Sequence, residues 1–330
     1  MNQSLGRTIL MIGAAVLLFV CISSCRYQLG GNGVEPNGGK KREITDPLYN
    51  VFALSGEKAW VIGYHGTVLC TGDGGVSWNK AETGTHEALY GICFVDGQQG
   101  WVSGSHGIIL TTRDGGKIWS RQASGTDKHL FDIHFVDPLH GMAVGYYGVI
   151  LRTTDGGGTW EDISLKDDIS LNALDLVDIS SAWVVGEFGS IHHTEDFGTT
   201  WTQTKLPVEE ASLFGVDFAS KTLGYVTGMD GIILKTEDGG NIWTRQENPS
   251  TDPIFSIKIA GDTVWAVGLK GTALQSTVSS VEWQPIADLK GVWGWIRAVH
   301  FAGPTVGWMV GSNGMIFRFT DGGKWTEIVL

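Results

Sequence analysis

The chain has 330 residues, a formal net charge of −12, 48 glycines, 14 tryptophans and only 18% charged residues. With that acidic balance and no basic run longer than Lys40-Lys41-Arg42, nucleic acid is excluded as an expected partner. The glycine and tryptophan content fits many short strands joined by tight turns and speaks against a helical bundle.

The first stretch reads as a targeting segment. Arg7 precedes an apolar run, Ile9 to Val20, that is too short to span a bilayer as a stable helix. Ile22-Ser23-Ser24-Cys25 then resembles the bacterial lipoprotein cleavage box, in which the cysteine becomes the lipidated N-terminus. The expected organisation is a signal peptide over 1–24, lipidation at Cys25, and a tether over 25–45 whose Gly, Asn and Pro show no apolar period. The expected location is outside the cytoplasm, on a bacterial membrane. Of four cysteines, Cys70 and Cys93 remain for the body. Their spacing matches no metal motif, and two unpaired thiols are expected.

From residue 46 to the end one unit recurs. Its clearest mark is TTDGGGTW, Thr153 to Trp160, with close copies ending at Trp78, Trp119, Trp201 and Trp243 and worn copies ending at Trp283 and Trp325. The spacings of these tryptophans are 41, 41, 41, 42, 40 and 42 residues. That period signals a solenoid or a propeller. Within the octet, the aspartate can accept backbone N–H groups one or two residues on, and the paired glycines permit positive φ. The recurring aspartates Asp73, Asp114, Asp155, Asp196, Asp238 and Asp321 are therefore read as turn locks. A single active site has no use for so many equivalent acids.

The third repeat shows the plan of each unit. Leu130 to Phe135 alternates as strand one, Gly141 to Gly145 is strand two, Val149 to Thr153 is strand three, and strand four opens at Trp160. Tyr146-Tyr147 forms a two-residue turn between strands two and three. Four strands per repeat make one blade, and seven repeats predict an all-β, seven-bladed β-propeller over 46–330, with four antiparallel strands per blade. Trp60, Trp101, Trp183, Trp265 and Trp308 share one place in strand two, with Met142 and Tyr225 in the other blades. Together with the seven closing tryptophans they read as core between blades; only Trp293 and Trp295 fall outside the pattern. The last repeat supplies its own fourth strand around Trp325 to Val329, so ring closure without a borrowed strand is expected.

The octet resembles the Asp-box, or BNR repeat, of sialidases and related propellers. The longer units Gly100 to Trp119 and Gly224 to Trp243 resemble the repeats of the photosystem II stability/assembly factor family. That resemblance spans roughly 47 to 330 and implies a non-catalytic, extracytoplasmic propeller that assists assembly. It also implies an arginine patch for photosystem clients. The six body arginines, Arg113, Arg121, Arg152, Arg245, Arg297 and Arg318, match neither that patch nor a sialidase triad. No phosphate loop, HExxH or Gly-x-Ser-x-Gly element appears.

Two constellations remain. Cys93, His134, Asp175, Asp217, Lys258 and His300 hold one strand-one position in blades two to seven and are expected to ring the channel. They would form either a wet polar channel or a metal site; no cofactor is called for. The second constellation is the glycine-bracketed turn between strands two and three. It places Tyr64, His65, His106, Tyr146, Tyr147 and Phe188 on one rim of blades one to four, on the face that carries the links between blades and opposite the Asp-box turns. Aromatic residues on rigid turns suit protein interfaces, although the same rings could fold back over a neighbouring blade. The expected function is a monomeric scaffold or assembly factor that binds a protein client in an envelope or membrane complex. The competing expectation is a carbohydrate-binding or glycoside-hydrolase propeller.

Overall fold

The computed structural model describes residues 44–208, 210–320 and 322–330. They form seven sheets of four antiparallel strands, each with its strands in sequence order. Blade three comprises Leu130–Phe135, Gly141–Gly145, Ile150–Thr153 and Glu161–Asp162. Strand two is wholly buried in six blades, and in blade six in all but its first residue, Thr263, because it has a sheet neighbour on each side and a blade on each face. The seventh sheet runs Ile296–Phe301, Gly307–Gly311, Ile316–Thr320 and Lys324–Ile328, so it completes itself. Blade one packs against it with no exchanged strand. The signal segment, Cys25 and all but the last two residues of the tether lie outside the described residues.

The tryptophans are the material between blades. The strand-two Trp60, Trp101 and Trp308 are fully buried. Each strand-two ring reaches the octet turn of the next blade. Trp60 Nε1 donates to the Gly115 carbonyl at 2.9 Å, and Trp101 Nε1 to the Gly156 carbonyl at 3.1 Å. Trp183 meets Trp243 edge-on at 5.9 Å, and Trp308 of blade seven meets Trp78 of blade one at 5.5 Å. Close approach also explains the second glycine of the octet: at Gly240, φ is +81° and an added Cβ would lie 2.1 Å from Trp183.

The octet turn is wider than the sequence suggested. Asp155 Oδ1 accepts the Thr153 hydroxyl at 2.8 Å and the Thr159 N–H at 2.9 Å, four residues on rather than one or two. Thr153 Oγ1 in turn accepts the Gly157 N–H at 2.8 Å. Asp73, Asp114, Asp196 and Asp238 repeat the arrangement, with bonds to the N–H groups of Ser77, Ile118, Thr200 and Ile242. Hydrogen bonds to Ser77 hold the Asp73 carboxyl down at about 2, and bonds to Thr200 and Thr194 do the same for Asp196. Asp321 lies outside the described residues.

Two local expectations are corrected. Strand one does not alternate throughout: its register slips once near its start, between Leu48 and Asn50 in blade one and at the equivalent place in each of the other six. The extra residue is a bulge. The turn between strands two and three is centred one residue later than expected. In blade three Val149 N–H bonds the Tyr146 carbonyl, and the residues between them, Tyr147 and Gly148, have φ of +57° and +68°. This is a type I′ turn, whose twist suits a tight hairpin. It comprises the second inner residue and the glycine, not the inner pair.

Candidate functional site

The channel residues come from the innermost strand of each blade. Cys93 Sγ accepts the Phe135 N–H at 3.3 Å, and Asp175 Oδ2 accepts that of Phe218 at 2.8 Å. Asp217 Oδ2 accepts the Ile259 N–H at 2.7 Å, and His300 Nδ1 accepts that of Ala53 at 3.1 Å. Four of the six thus latch the next blade's inner strand. His134 is not a latch; Asp132, two residues earlier, accepts the Leu174 N–H at 3.0 Å, an amide two residues before the one that the register offers to His134. His134 instead stands between carboxylates, 3.7 Å from Asp175 and 3.9 Å from Asp132. Lys258 pairs with Asp217.

The charges in this ring are coupled. Burial and the neighbouring Asp217 push the Asp175 carboxyl up to about 6, against the pull of Lys258 and His134. Burial opposes the Lys258 charge, but Asp217 and Asp175 outweigh it and raise its pKa. Burial pushes the Cys93 thiol up to about 12 and the His300 imidazole well below its usual value. Cys70 and Cys93 are both free thiols. Among the described residues no group of three or more His, Cys, Asp and Glu is placed to hold a metal ion.

The second constellation lies on the face where the links between blades run. Gly66 N–H bonds the Glu87 carbonyl of the next link, and Tyr146 N–H bonds the His129 carbonyl. The two inner turn residues part company there. The first leans inward: Tyr64 and Tyr146 are half-buried, with Tyr146 6.4 Å from Phe131 and 6.3 Å from His129. The second stands outward at positive φ: His65, His106, Tyr147 and Phe188 are all exposed. Tyr147 is 46% accessible and Phe188 39%. His65 lies 3.6 Å from Asp46, and His106 2.8 Å from Glu87. Blades five and seven put Asp230 and Asn313 at this backbone position, residue types that tolerate it. Bulky rings there are strained, and such strain collects at functional positions.

The bulge residues complete this face and were missed from the sequence. Tyr49, Tyr90 and Phe131 form a chain of ring contacts, 5.5 Å from Tyr49 to Tyr90 and 5.8 Å on to Phe131. Trp295 stacks on Tyr49 at 6.1 Å. On the far side Phe214 meets Phe255 at 5.7 Å, and the Arg297 guanidinium lies 5.4 Å from the Phe255 ring. Asn172 holds the same place in blade four and donates to the Leu213 carbonyl. The signal was available: an apolar residue, an aromatic and a small or polar residue recur as Leu48-Tyr49-Asn50, Leu89-Tyr90-Gly91, Leu213-Phe214-Gly215 and Ile254-Phe255-Ser256. Such a triplet breaks the alternation of a simple strand.

The sequence profile of the family described as photosynthesis system II assembly factor YCF48 matches residues 40–125, 119–209 and 200–329. The chain belongs to that family. A solved structure described as YCF48 bound to D1 peptide is 21% identical, with a TM-score of 0.72 over 85% of this chain and 95% of that one. YCF48 from Cyanidioschyzon merolae is 17% identical, with a TM-score of 0.71 over 86% and 98%. A GH74 xyloglucanase from Xanthomonas campestris is 12% identical, with a TM-score of 0.70 over 86% of this chain and 53% of its own. At these identities the likeness is one of fold. No curated protein matches the chain.

Proposed function

We propose that this YCF48-family propeller is a non-catalytic, lipid-anchored protein outside the cytoplasm that binds a protein client during assembly or upkeep of an envelope or membrane complex. The observation that carries this reading is the set of exposed rings, Tyr147 and Phe188, held on left-handed backbone beside an aromatic collar. Large rigid rings contribute contact area at little cost in side-chain entropy, as interface anchors do. The YCF48 structure with a D1 peptide supports a protein client for this fold. The described chain also enters on this face, with the Ile44 carbonyl packed against Gly314 and Asp46 beside His65.

The glycosidase reading would draw on the channel carboxylates. Each of Asp132, Asp175 and Asp217 has an oxygen committed to an amide of the next blade, and the Asp175 and Asp217 side chains are only 10% and 8% accessible. Acids spent in this way favour the binding reading.

The test is crosslinking in intact membranes. Tyr146→Ala with Tyr147→Ala should lose the captured client, while Ser312→Ala with Asn313→Ala should keep it. Equal capture by both double variants would move the site elsewhere. Cys25→Ala should release the protein from the membrane fraction, and retention would refute the anchor.

A further inference from the structure

Resting on the protein-binding reading, we propose that the Tyr147–Phe188 sector recognises a cationic client segment through its Arg or Lys side chains. The link from blade three to blade four runs between these two rings. It is tied to the Tyr147 turn by Leu165 N–H to the Gly148 carbonyl, and to the Phe188 turn by Glu187 N–H to the Ser170 carbonyl. Between those ties it carries Lys166, which is also exposed, and then two acids, Asp167 and Asp168. Both are exposed, and neither makes an ion pair with any described residue. Glu187 is held in place by the Ser170 N–H at 2.8 Å, and the Phe188 backbone bridges to Glu210.

A partner that covers both rings also covers the carboxylates between them. An apolar partner would strand those charges away from water, which is strongly disfavoured. An anionic partner or lipid surface would meet a net like charge, since Asp167, Asp168 and Glu187 outnumber Lys128 and Lys166. A guanidinium or ammonium group satisfies both features, because the ring faces attract cations and the carboxylates pair with them. The protein already shows the chemistry on a small scale: the Lys128 ammonium lies 5.8 Å from the centre of the Tyr147 ring.

The test uses the full-length lipidated protein in neutral detergent with two fluorescent peptides of equal length, one alternating Arg and Ser, the other Glu and Ser. Anisotropy should show binding of the Arg peptide, weakened by added salt, and no binding of the Glu peptide. Asp167→Asn with Asp168→Asn, and separately Tyr147→Ala with Phe188→Ala, should each raise Kd about tenfold. Glu57→Gln with Asp262→Asn, in turns whose carbonyls bond the octet turns at Gly74 and Val278 on the opposite face, should leave Kd unchanged. Equal weakening by that opposite pair would reduce the effect to net charge and overturn the proposal. So would binding of the Glu peptide, or of anionic phosphatidylglycerol vesicles in preference to the Arg peptide. If the Arg peptide fails to bind while Tyr146→Ala with Tyr147→Ala still abolishes client capture, the charge class is wrong and the protein-binding face stands. If neither assay responds, both readings fall.

Discussion

The backbone N–H of Ala53 in the first blade donates to His300 Nδ1 in the last, at 3.1 Å and 247 residues apart in sequence. The bond requires a neutral imidazole with its proton on Nε2. Burial, with Lys258 and His134 nearby, keeps the ring neutral by pushing its pKa well down. The native state therefore binds fewer protons here than the unfolded chain, and this contribution to stability is present above about pH 6.5 and is lost as pH falls below it. His300→Ala leaves the Ala53 N–H without its partner and should cost about 1–3 kcal/mol near neutral pH. Urea midpoints measure it; a midpoint unchanged from the parent would show that the seam is held by apolar packing alone.

Asp175 works with the opposite sign. Its pKa is raised to about 6, so between about pH 4 and 6 the native state holds a proton that the unfolded chain has released. Stability from this group falls as pH rises through that window and is flat above it. Asp175→Asn retains an acceptor for the Phe218 N–H and removes the buried charge. It should be more stable than the parent by about 1–3 kcal/mol above about pH 7 and should lack the slope below. A variant with the parent's slope would place the titration on another group.

Lys258 is the counter-charge for that cluster. Lys258→Met should cost about 3–5 kcal/mol near neutral pH, because Asp217 and Asp175 would remain buried and close together. The loss should shrink toward about pH 5, where Asp175 takes up a proton. Thermal melts at the two pH values check this, and a pH-independent loss would point to packing of the lysine stem instead.

In the octet the buried hydroxyl is the better probe than the exposed carboxylate. Thr153→Val keeps the shape but removes the acceptor for the Gly157 N–H and the donor to Asp155. It should lower stability by about 1–3 kcal/mol while client binding by the folded fraction survives. Binding lost without a change in melting would assign the octet a recognition role.

Phe188 stands at φ +56°, a conformation better suited to Asn. Phe188→Asn should raise stability by up to about 1 kcal/mol and weaken client binding. A variant that binds as the parent does would remove Phe188 from the site.

Much of the ring was legible in the sequence because its elements repeat and are apolar. The octets and the strand-two tryptophans recur at one period, and packing between blades needs them at that period. Two features were hidden for physical reasons. Strand one reads as alternating because a bulge displaces only one residue, so Tyr90 and Phe131 looked like ordinary strand positions until their register was seen. The latch residues could be aligned, but which of them bonds an amide depends on reach. In blade three His134 makes no such bond and Asp132 ties the Leu174 amide instead, a shift that spacing alone does not reveal. The inner turn pair could be aligned too. That its second residue points out while its first leans in follows from the handedness of the turn, and residue types alone do not decide it.

Because each repeat starts and ends within a single sheet, duplicating one coding unit would add an intact blade, and deleting one would leave no orphaned strand. Connectivity places no limit on the number of blades. What limits it is the axis, where a change in diameter would carry Ala53 out of range of His300 and each carboxylate out of range of its neighbouring amide. In such a molecule blade number is inherited through side-chain reach at the centre, and lineages that lose those latches are where six- and eight-bladed descendants should be sought.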